Sequence, residues 1–372
     1  MPPERIDQGI ARSLALLDQP VTIVFDGLGI VGYQDAIHRR YIPQNITLCK
    51  CRGVASSSRN GRKFSNSLAS ALSQRILIAM SDFIVTPDPQ DPRLVETVSA
   101  TDHTGAGTEA SVPVERPLTL FLNSQEVVTM MTIGDYPDCL AVGYLLNQNM
   151  LQPTDKIIGI DVDEEIDVVV VRTESGTDFE DKLKRKTLTS GCAQGTAFGD
   201  VMEKFDEVEL PPDAVIRTSW IYALSRAINT QPSIYLRAGA IHGCVLCEAD
   251  RPLIYMEDVG RHNAIDKIAG YMFLNGLGPQ NKLFYTTGRL TSEMVIKCVQ
   301  MRIPILISRS GFTAWGVDLA RRANLTLIGR AKGKRFLCVS GKERIVFDAD
   351  PDQVPDESPR IQRKASQREN VV

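Results

Sequence analysis

The fold is decided by LIYMEDVGRHN (Leu253–Asn263), LFYTTGRLTS (Leu283–Ser292) and IPILISRSGFT (Ile303–Thr313), three apolar runs that each end in a polar turn. A helical pattern follows each turn, so the chain up to Arg335 is predicted to alternate strands with helices. Such alternation implies right-handed crossovers and mostly parallel strands. We therefore expect all three turns at the carboxyl edge of one sheet, where open α/β sheets bind ligands.

The residues in these turns favour an anionic ligand. Gly288 and Gly311 let the backbone approach a ligand closely, and hydroxyl residues stand beside helix N-termini, whose free N–H groups attract anions. Arg261, Arg289 and Arg309 add a fork of donors that suits phosphate. Ser, Thr and Gly are also common caps and turn residues, which would explain any single turn. Three such turns predict a site for a phosphorylated or nucleotide-like ligand, with candidate contacts at Asp258, Arg261, His262, Gly288, Arg289, Ser292, Ser308 and Arg309.

Composition sets the general class of the protein. The chain has 372 residues, of which 43% are hydrophobic and 23% charged, and this is enough for two globular domains. A net charge of −3 and a pI of about 5.9 give no general reason to expect nucleic acid. The sequence shows neither a secretory leader pattern nor an apolar run of membrane-spanning length. We expect a cytoplasmic protein, away from membranes, whose eight cysteines are mostly reduced thiols.

The chain divides by composition into five predicted segments. The first hundred-odd residues are rich in polar, Pro and Gly tracts that bury little apolar surface. After them come two strand pairs and a helix that Asp135 is expected to cap and Pro137 to begin, which together predict a small subdomain. The predicted segments are a partly disordered extension and linker (1–111), a smaller antiparallel α+β subdomain (112–175), a loop region (176–210), an α/β core with a mixed, largely parallel sheet (211–348) and a disordered tail (349–372).

One cysteine stands in a setting that favours reactivity. Cys192 lies in Gly191–Gly195, among small and hydroxylic residues, and the basic run Lys182–Lys186 precedes it. A flexible, electropositive loop stabilises a thiolate and leaves it accessible. From these residues alone, a reactive cysteine and an incidental loop thiol are equally compatible with the pattern.

A second cysteine motif favours a structural role. Cys244 and Cys247 form a C-x-x-C, but no second pair stands at zinc-site spacing. The segment alternates like a strand, which would place the two thiols on opposite faces. The four histidines are too scattered to predict a metal site, so we expect no structural metal.

The last predicted strand pair surrounds a basic turn. This turn reads Arg330-Ala331-Lys332-Gly333-Lys334-Arg335. A solvated hairpin loop is one explanation, because such loops are common. The other is that its four cations extend the anion-binding edge formed by the earlier turns.

Three motifs resemble the FdhD family of formate dehydrogenase accessory sulfurtransferases. They are YMEDVGRHNAIDK (Tyr255–Lys267), TGRLTSEM (Thr287–Met294) and SRS (Ser308–Ser310), and the similarity runs from about Val114 to about Ile345. The uninterrupted Glu-Asp-Val-Gly-Arg-His-Asn-Ala run makes the resemblance specific. It implies a core like that of cytidine deaminase, although the zinc signature of that fold is not visible here.

The resemblance also implies a function. Members of the family take persulfide sulfur from a cysteine desulfurase and pass it to the molybdenum or tungsten bis(molybdopterin guanine dinucleotide) cofactor, before insertion into formate dehydrogenase. It implies Cys192 as the persulfide carrier, Arg330–Arg335 as the guanine dinucleotide site, and a homodimer. The family loop usually holds two cysteines in a C-x-x-C, whereas this chain has Gly195 at the second position. Sulfur release through a disulfide is therefore in question.

Two other functions remain open. A non-catalytic chaperone would bind the cofactor without carrying sulfur, because the second loop cysteine is absent. A nucleotide or base deaminase on a related fold would need a zinc-bound water and a catalytic glutamate. The sequence has no His-x-Glu followed by Pro-Cys-x-x-Cys, which disfavours the deaminase.

Overall fold

The computed structural model describes residues 22–25, 47–50, 83–174, 187–188, 195–196 and 198–354. The chain divides into two compact units, Met1–Arg75 and Ile76–Val372. In the first unit the described part is a parallel pair of strands, β1 (Thr22–Phe25) and β2 (Thr47–Lys50).

The second unit holds all the helices that the structure describes and most of the strands. The helices are α1 (Pro137–Asn147), α2 (Phe198–Glu207), α3 (Thr218–Thr230), α4 (Ile234–Arg237), α5 (Arg261–Leu274), α6 (Ser292–Gln300) and α7 (Ala314–Arg322). The strands are β3 (Val95–Thr101), β4 (Gly107–Pro113), β5 (Arg116–Leu122), β6 (Gln125–Thr132), β7 (Ile157–Asp163), β8 (Val168–Thr173), β9 (Thr187–Leu188), β10 (Gly195–Thr196), β11 (Ile216–Arg217), β12 (His242–Glu248), β13 (Arg251–Asp258), β14 (Lys282–Thr286), β15 (Ile305–Ser308), β16 (Thr326–Lys332), β17 (Arg335–Ser340) and β18 (Ile345–Val346).

The main sheet has six strands in the order β13-β12-β14-β15-β16-β17. β14, β15 and β16 are parallel neighbours, while β12 is antiparallel to both β13 and β14. β13 to β16 therefore share one direction, and the three predicted turns emerge at one carboxyl edge, as expected. The insertion of β12 between β13 and β14 was not predicted, because strand order is a property of long-range pairing.

Helices cover both faces of this sheet. On one face, Ile268 of α5 and Met294 of α6 belong to the same apolar cluster as Cys244. On the other, Ile221 and Leu224 of α3 share a cluster with Cys247. The two thiols of the C-x-x-C are buried on opposite faces of β12, which confirms their predicted structural placement.

The smaller sheet has the order β6-β5-β8-β7. Its two hairpins, β5 with β6 and β7 with β8, are antiparallel as predicted, and a parallel pairing of β5 with β8 joins them. α1 covers the inner face and packs against α5 of the core. The expected N-cap of α1 was wrong: Tyr136 occupies that position with φ of 48°, and Asp135 bonds elsewhere.

Residues 83–113 are more ordered than their composition suggested. β3 and β4 form a full hairpin, and Val85 pairs with Ile254 at the edge of the main sheet. Leu94 and Val95 are buried against Ile133. The prediction of a linker is therefore wrong for this hairpin, because its few apolar residues find partners outside the segment. No helix within the described ranges is both long and apolar enough to cross a membrane.

Candidate functional site

The carboxyl edge of the main sheet gathers the predicted turns. Adjacent strands lie about 4.8 Å apart, so the ends of β13, β12, β14, β15 and β16 form a strip about 20 Å long. β12 runs the opposite way and begins at this edge, where His242 pairs with Asp258 of β13. Residues from distant parts of the sequence therefore meet here.

The first turn starts at Asp258, whose carboxylate is completely buried. It accepts hydrogen bonds from Thr132 Oγ1 at 2.5 Å, Gly260 N at 3.0 Å and Asn263 Nδ2 at 3.0 Å. Lys267 Nζ lies 2.5 Å from Oδ2, the carboxylate oxygen that also accepts from Thr132, while Gly260 and Asn263 share Oδ1. These partners satisfy the carboxylate internally and indicate a structural role, while the ligand contact at Asp258 stays a prediction.

Lys267 links the core to the smaller sheet. Its ammonium is fully buried, lies 2.5 Å from Asp135 Oδ1 and donates to Glu257 O at 3.0 Å. The side-chain carboxylate of Glu257 accepts from the N–H groups of Ile234 at 2.7 Å and Tyr235 at 2.9 Å, at the start of α4. Burial raises the pKa of Glu257 to about 7 despite these bonds. The network fixes the base of the edge and the position of α4.

Arg261 and Gly288 bring the first and second turns together. A β-carbon on Gly288 would lie 3.2 Å from Arg261 Cβ, which is closer than an ordinary van der Waals contact. Glycine at this position avoids that close contact. Arg289 is exposed beside them. His262 is buried and pairs with Glu293 at 2.9 Å, and this hydrogen bond lowers the pKa of Glu293 to about 2. His262 thus supports the turn through an internal partner, while its ligand contact stays a prediction.

His242 is a further edge residue, which the sequence did not identify. Burial lowers its pKa, and the positive charges of Arg261 and Arg289 act in the same direction. A neutral His242 among two arginines suits an anion at this end of the strip.

The third turn is tied to the second. Ser308 is buried, donates to Gly288 O at 2.6 Å and accepts from Ser310 N at 2.9 Å. Both bonds are internal, and the one to Gly288 links the two turns, while the ligand contact at Ser308 stays a prediction. Thr313 caps α7 by accepting from Gly316 N at 3.2 Å. This hydroxyl residue therefore acts as a helix cap, the other role considered for the Ser and Thr residues of these turns. Ser292 is half-buried in the first turn of α6.

Arg309 is held from two elements that the sequence did not connect with it. Its Nη1 donates to Asn229 Oδ1 of α3 at 2.9 Å. Its guanidinium lies over the ring of Tyr235 of α4, 5.6 Å from the ring centroid. Asn229 and Tyr235 thus become candidate site residues only through the fold.

The basic turn joins the same edge. Arg330, at φ of 56°, donates its N–H to Ser310 O at 2.7 Å, while Ser225 Oγ of α3 donates to Ala331 O at 3.4 Å. Ala331 is buried, so its predicted ligand contact is limited to the backbone. Gly333, at φ of +57°, makes the tight turn. The cations Arg330, Lys332, Lys334 and Arg335 are exposed, and Lys334 pairs with Asp352 at 3.2 Å.

Cys192 lies outside the described residues. β9 and β10, on either side of it in the sequence, form an antiparallel ladder in which Leu188 pairs with Gly195. Gly195 is therefore a strand residue at the base of the segment that contains Cys192. Within the described ranges, no group of three or more His, Cys, Asp and Glu side chains is arranged to hold a metal ion.

Comparison with known proteins gives one consistent result. A sequence model of the FdhD/NarQ family matches residues 113–346. A sulfur carrier protein FdhD from Listeria monocytogenes serotype 4b is 28% identical over 240 residues, covering 64% of this chain and 92% of the relative. The protein of the same name from Bacillus subtilis is 28% identical over 244 residues, covering 64% and 91%.

A solved structure agrees with the sequence comparison. It is described as a formate dehydrogenase accessory protein from Desulfotalea psychrophila and superposes with a TM-score of 0.56 at 26% identity. The match covers 68% of this chain and 99% of that one. The predicted class, an α/β core with a smaller second sheet, is confirmed.

Proposed function

Because the chain belongs to the FdhD/NarQ family, we propose that it is a sulfurtransferase, a sulfur carrier that serves formate dehydrogenase. In this proposal it takes persulfide sulfur from a cysteine desulfurase in the cytoplasm and works as a homodimer. It passes the sulfur to the molybdenum or tungsten bis(molybdopterin guanine dinucleotide) cofactor, which is its substrate. The family match over residues 113–346 is the observation that carries the proposal.

The geometry of the carboxyl edge supports a phosphate-rich substrate. Arg261, Arg289 and Arg309 stand along one strip, and the exposed cations of Arg330–Arg335 continue it. A dinucleotide carries pyrophosphate groups that arginine forks bind in bidentate fashion. We assign this strip and the basic turn to the guanine dinucleotide part of the cofactor.

Cys192 is the proposed carrier of the sulfur. Its thiolate attacks the outer sulfur of a persulfide on the desulfurase. The S–S bond in that persulfide breaks as the new S–S bond to Cys192 forms, and the desulfurase leaves as a thiolate. This exchange is electron-neutral, so loading needs only one cysteine.

Delivery is different, because release of the outer sulfur as sulfide consumes two electrons. A thiol supplies them by forming a disulfide with Cys192. Gly195 stands where the FdhD resemblance places a second cysteine. We therefore propose that an external thiol supplies these electrons.

The test of loading is intact-protein mass spectrometry after incubation with a cysteine desulfurase and cysteine. The wild-type protein should gain a one-sulfur adduct that dithiothreitol removes, and Cys192→Ala should gain none while remaining folded. An equal adduct on Cys192→Ala would reject the carrier assignment. Restoration of formate dehydrogenase activity by each variant then tests delivery.

The replacement of the second loop cysteine by Gly195 supports one other candidate, a cofactor-binding chaperone without sulfur transfer. This function predicts tight binding of a guanine nucleotide and no adduct on the wild-type protein. The same experiment, combined with calorimetric titration of GDP, separates the two functions.

A further inference from the structure

Arg309 differs from the other cations of the edge in how firmly it is held. Asn229 Oδ1 fixes one of its nitrogens at 2.9 Å, and the ring of Tyr235 lies under the guanidinium plane at 5.6 Å. The two supports define both the direction and the plane of the side chain. The residue as a whole is half-buried, so part of it is open to solvent.

The support itself rests on a buried carboxylate. Glu257 accepts from the N–H groups of Ile234 and Tyr235 at 2.7 Å and 2.9 Å, which anchors the start of the short helix α4. Glu257 is itself 1% exposed and is the penultimate residue of β13. The position of the Tyr235 ring is therefore set by the core of the sheet rather than by a surface loop.

Arg309 also adjoins the basic turn. The next residue, Ser310, accepts the N–H of Arg330 at 2.7 Å, and Ser225 and Asn229 stand one helical turn apart on α3. Ser225 contacts Ala331 O, while Asn229 contacts Arg309. One face of α3 thus positions both the arginine and the basic turn against each other.

We propose that Tyr235 and Asn229 are positioning residues that hold Arg309 as a phosphate-binding fork within the dinucleotide site. This inference rests on the proposed function. An unsupported arginine loses side-chain entropy when it forms two hydrogen bonds to an oxyanion. A stacked and hydrogen-bonded arginine has already lost much of that entropy before the ligand binds. The ligand class is a phosphate or pyrophosphate ester, because a planar fork of donors matches two phosphate oxygens.

The test is a double-mutant cycle read by calorimetric titration of the full-length protein with GDP. The proteins are the wild type, Tyr235→Ala, Arg309→Ala and the double variant, with Tyr235→Phe as the conservative control. We expect Tyr235→Ala to weaken GDP binding about fivefold, because the stacking partner is lost. Tyr235→Phe should stay within about twofold of wild type, since the ring remains. In the Arg309→Ala background, the second change should have no further effect.

Two results would overturn the inference. One is unchanged GDP affinity in Tyr235→Ala, and the other is an equal loss from Tyr235→Ala with and without Arg309. If Tyr235→Ala does not fold, Tyr235→Leu removes the aromatic face while keeping bulk, and the same outcomes apply to it. If the wild type does not bind GDP at all, the proposed cofactor site fails as well. If a Lys332→Ala/Lys334→Ala variant loses binding while Tyr235→Ala does not, only this inference fails.

Discussion

Gly143 of α1 and Gly270 of α5 face each other at backbone contact distance. A β-carbon on Gly143 would overlap the carbonyl oxygen of Asp266 and lie 2.7 Å from Gly270 N. A β-carbon on Gly270 would overlap Cys139 O and lie 2.8 Å from Gly143 N. The helix of the smaller sheet and the helix that follows the family motif therefore pack without intervening side chains.

Gly143→Ala or Gly270→Ala should each lower the free energy of unfolding by about 3 kcal/mol, because the overlap is with backbone that cannot move aside. Chemical denaturation measures this directly. Gly159→Ala is the matched control, since an added β-carbon there meets nothing within 4 Å, and it should change stability by less than about 0.5 kcal/mol. Equal effects at the two kinds of position would contradict the close packing.

Lys267→Met should destabilise the protein by about 3 to 5 kcal/mol, because it leaves the carboxylates of Asp135 and Asp258 buried without their cation. Lys156→Met is the control: its pair with Glu174 is 2.8 Å long but exposed, so less than about 1 kcal/mol should be lost. Urea unfolding curves at neutral pH compare the two variants. A small loss for Lys267→Met would show that the buried network is dispensable.

Glu257 should make stability depend on pH. Burial raises its pKa from 4.5 to about 7, so the folded state binds this proton more tightly than the unfolded state does. The corresponding stability is complete below about pH 4.5 and is lost as pH rises through about 7, a change of about 3 kcal/mol. Glu257→Gln cannot titrate and should show a flatter profile over this range in urea unfolding. Parallel profiles for the two proteins would contradict the assignment.

Asp352→Asn should strengthen GDP binding about twofold, because it frees the exposed Lys334 from its ion pair and removes a negative charge from the basic turn. The gain should disappear at high salt, which screens exposed charges. Asp250→Asn, in the turn at the opposite end of the same sheet, is the matched control and should leave affinity unchanged. An equal gain from both variants would indicate a general effect of net charge.

Gly195→Cys should let the loaded protein release sulfide without added thiol. The new thiolate would attack the inner sulfur of the Cys192 persulfide, form a disulfide with it and expel hydrosulfide. Sulfide release from desulfurase-loaded protein measures the effect, and Gly195→Ser is the control that adds bulk without a thiol. Release from the serine variant, or none from the cysteine variant, would reject an internal thiol as the missing reductant.

The local sequence was sufficient to predict the three strand-turn-helix units, because the spacing of apolar residues within a short segment distinguishes a strand from a helix. It also placed the basic turn of Arg330–Arg335 between two strands of the same edge. Composition was misleading for residues 94–113: their polar appearance suggested a linker, yet they contain a hairpin and the buried residues Leu94 and Val95.

The sequence by itself determined which residues belong to the turns at the carboxyl edge, and thereby the anion-favouring chemistry of that edge. Only the tertiary structure decided which of those residues are buried and which are open to solvent. Asp258 and Ser308 are turned inward by hydrogen bonds to Thr132 and Gly288, while Asn229 and Tyr235 arrive from helices with no motif of their own. The physical reason is that side-chain direction and burial depend on contacts between distant segments, which the spacing of residues along one strand or helix does not contain.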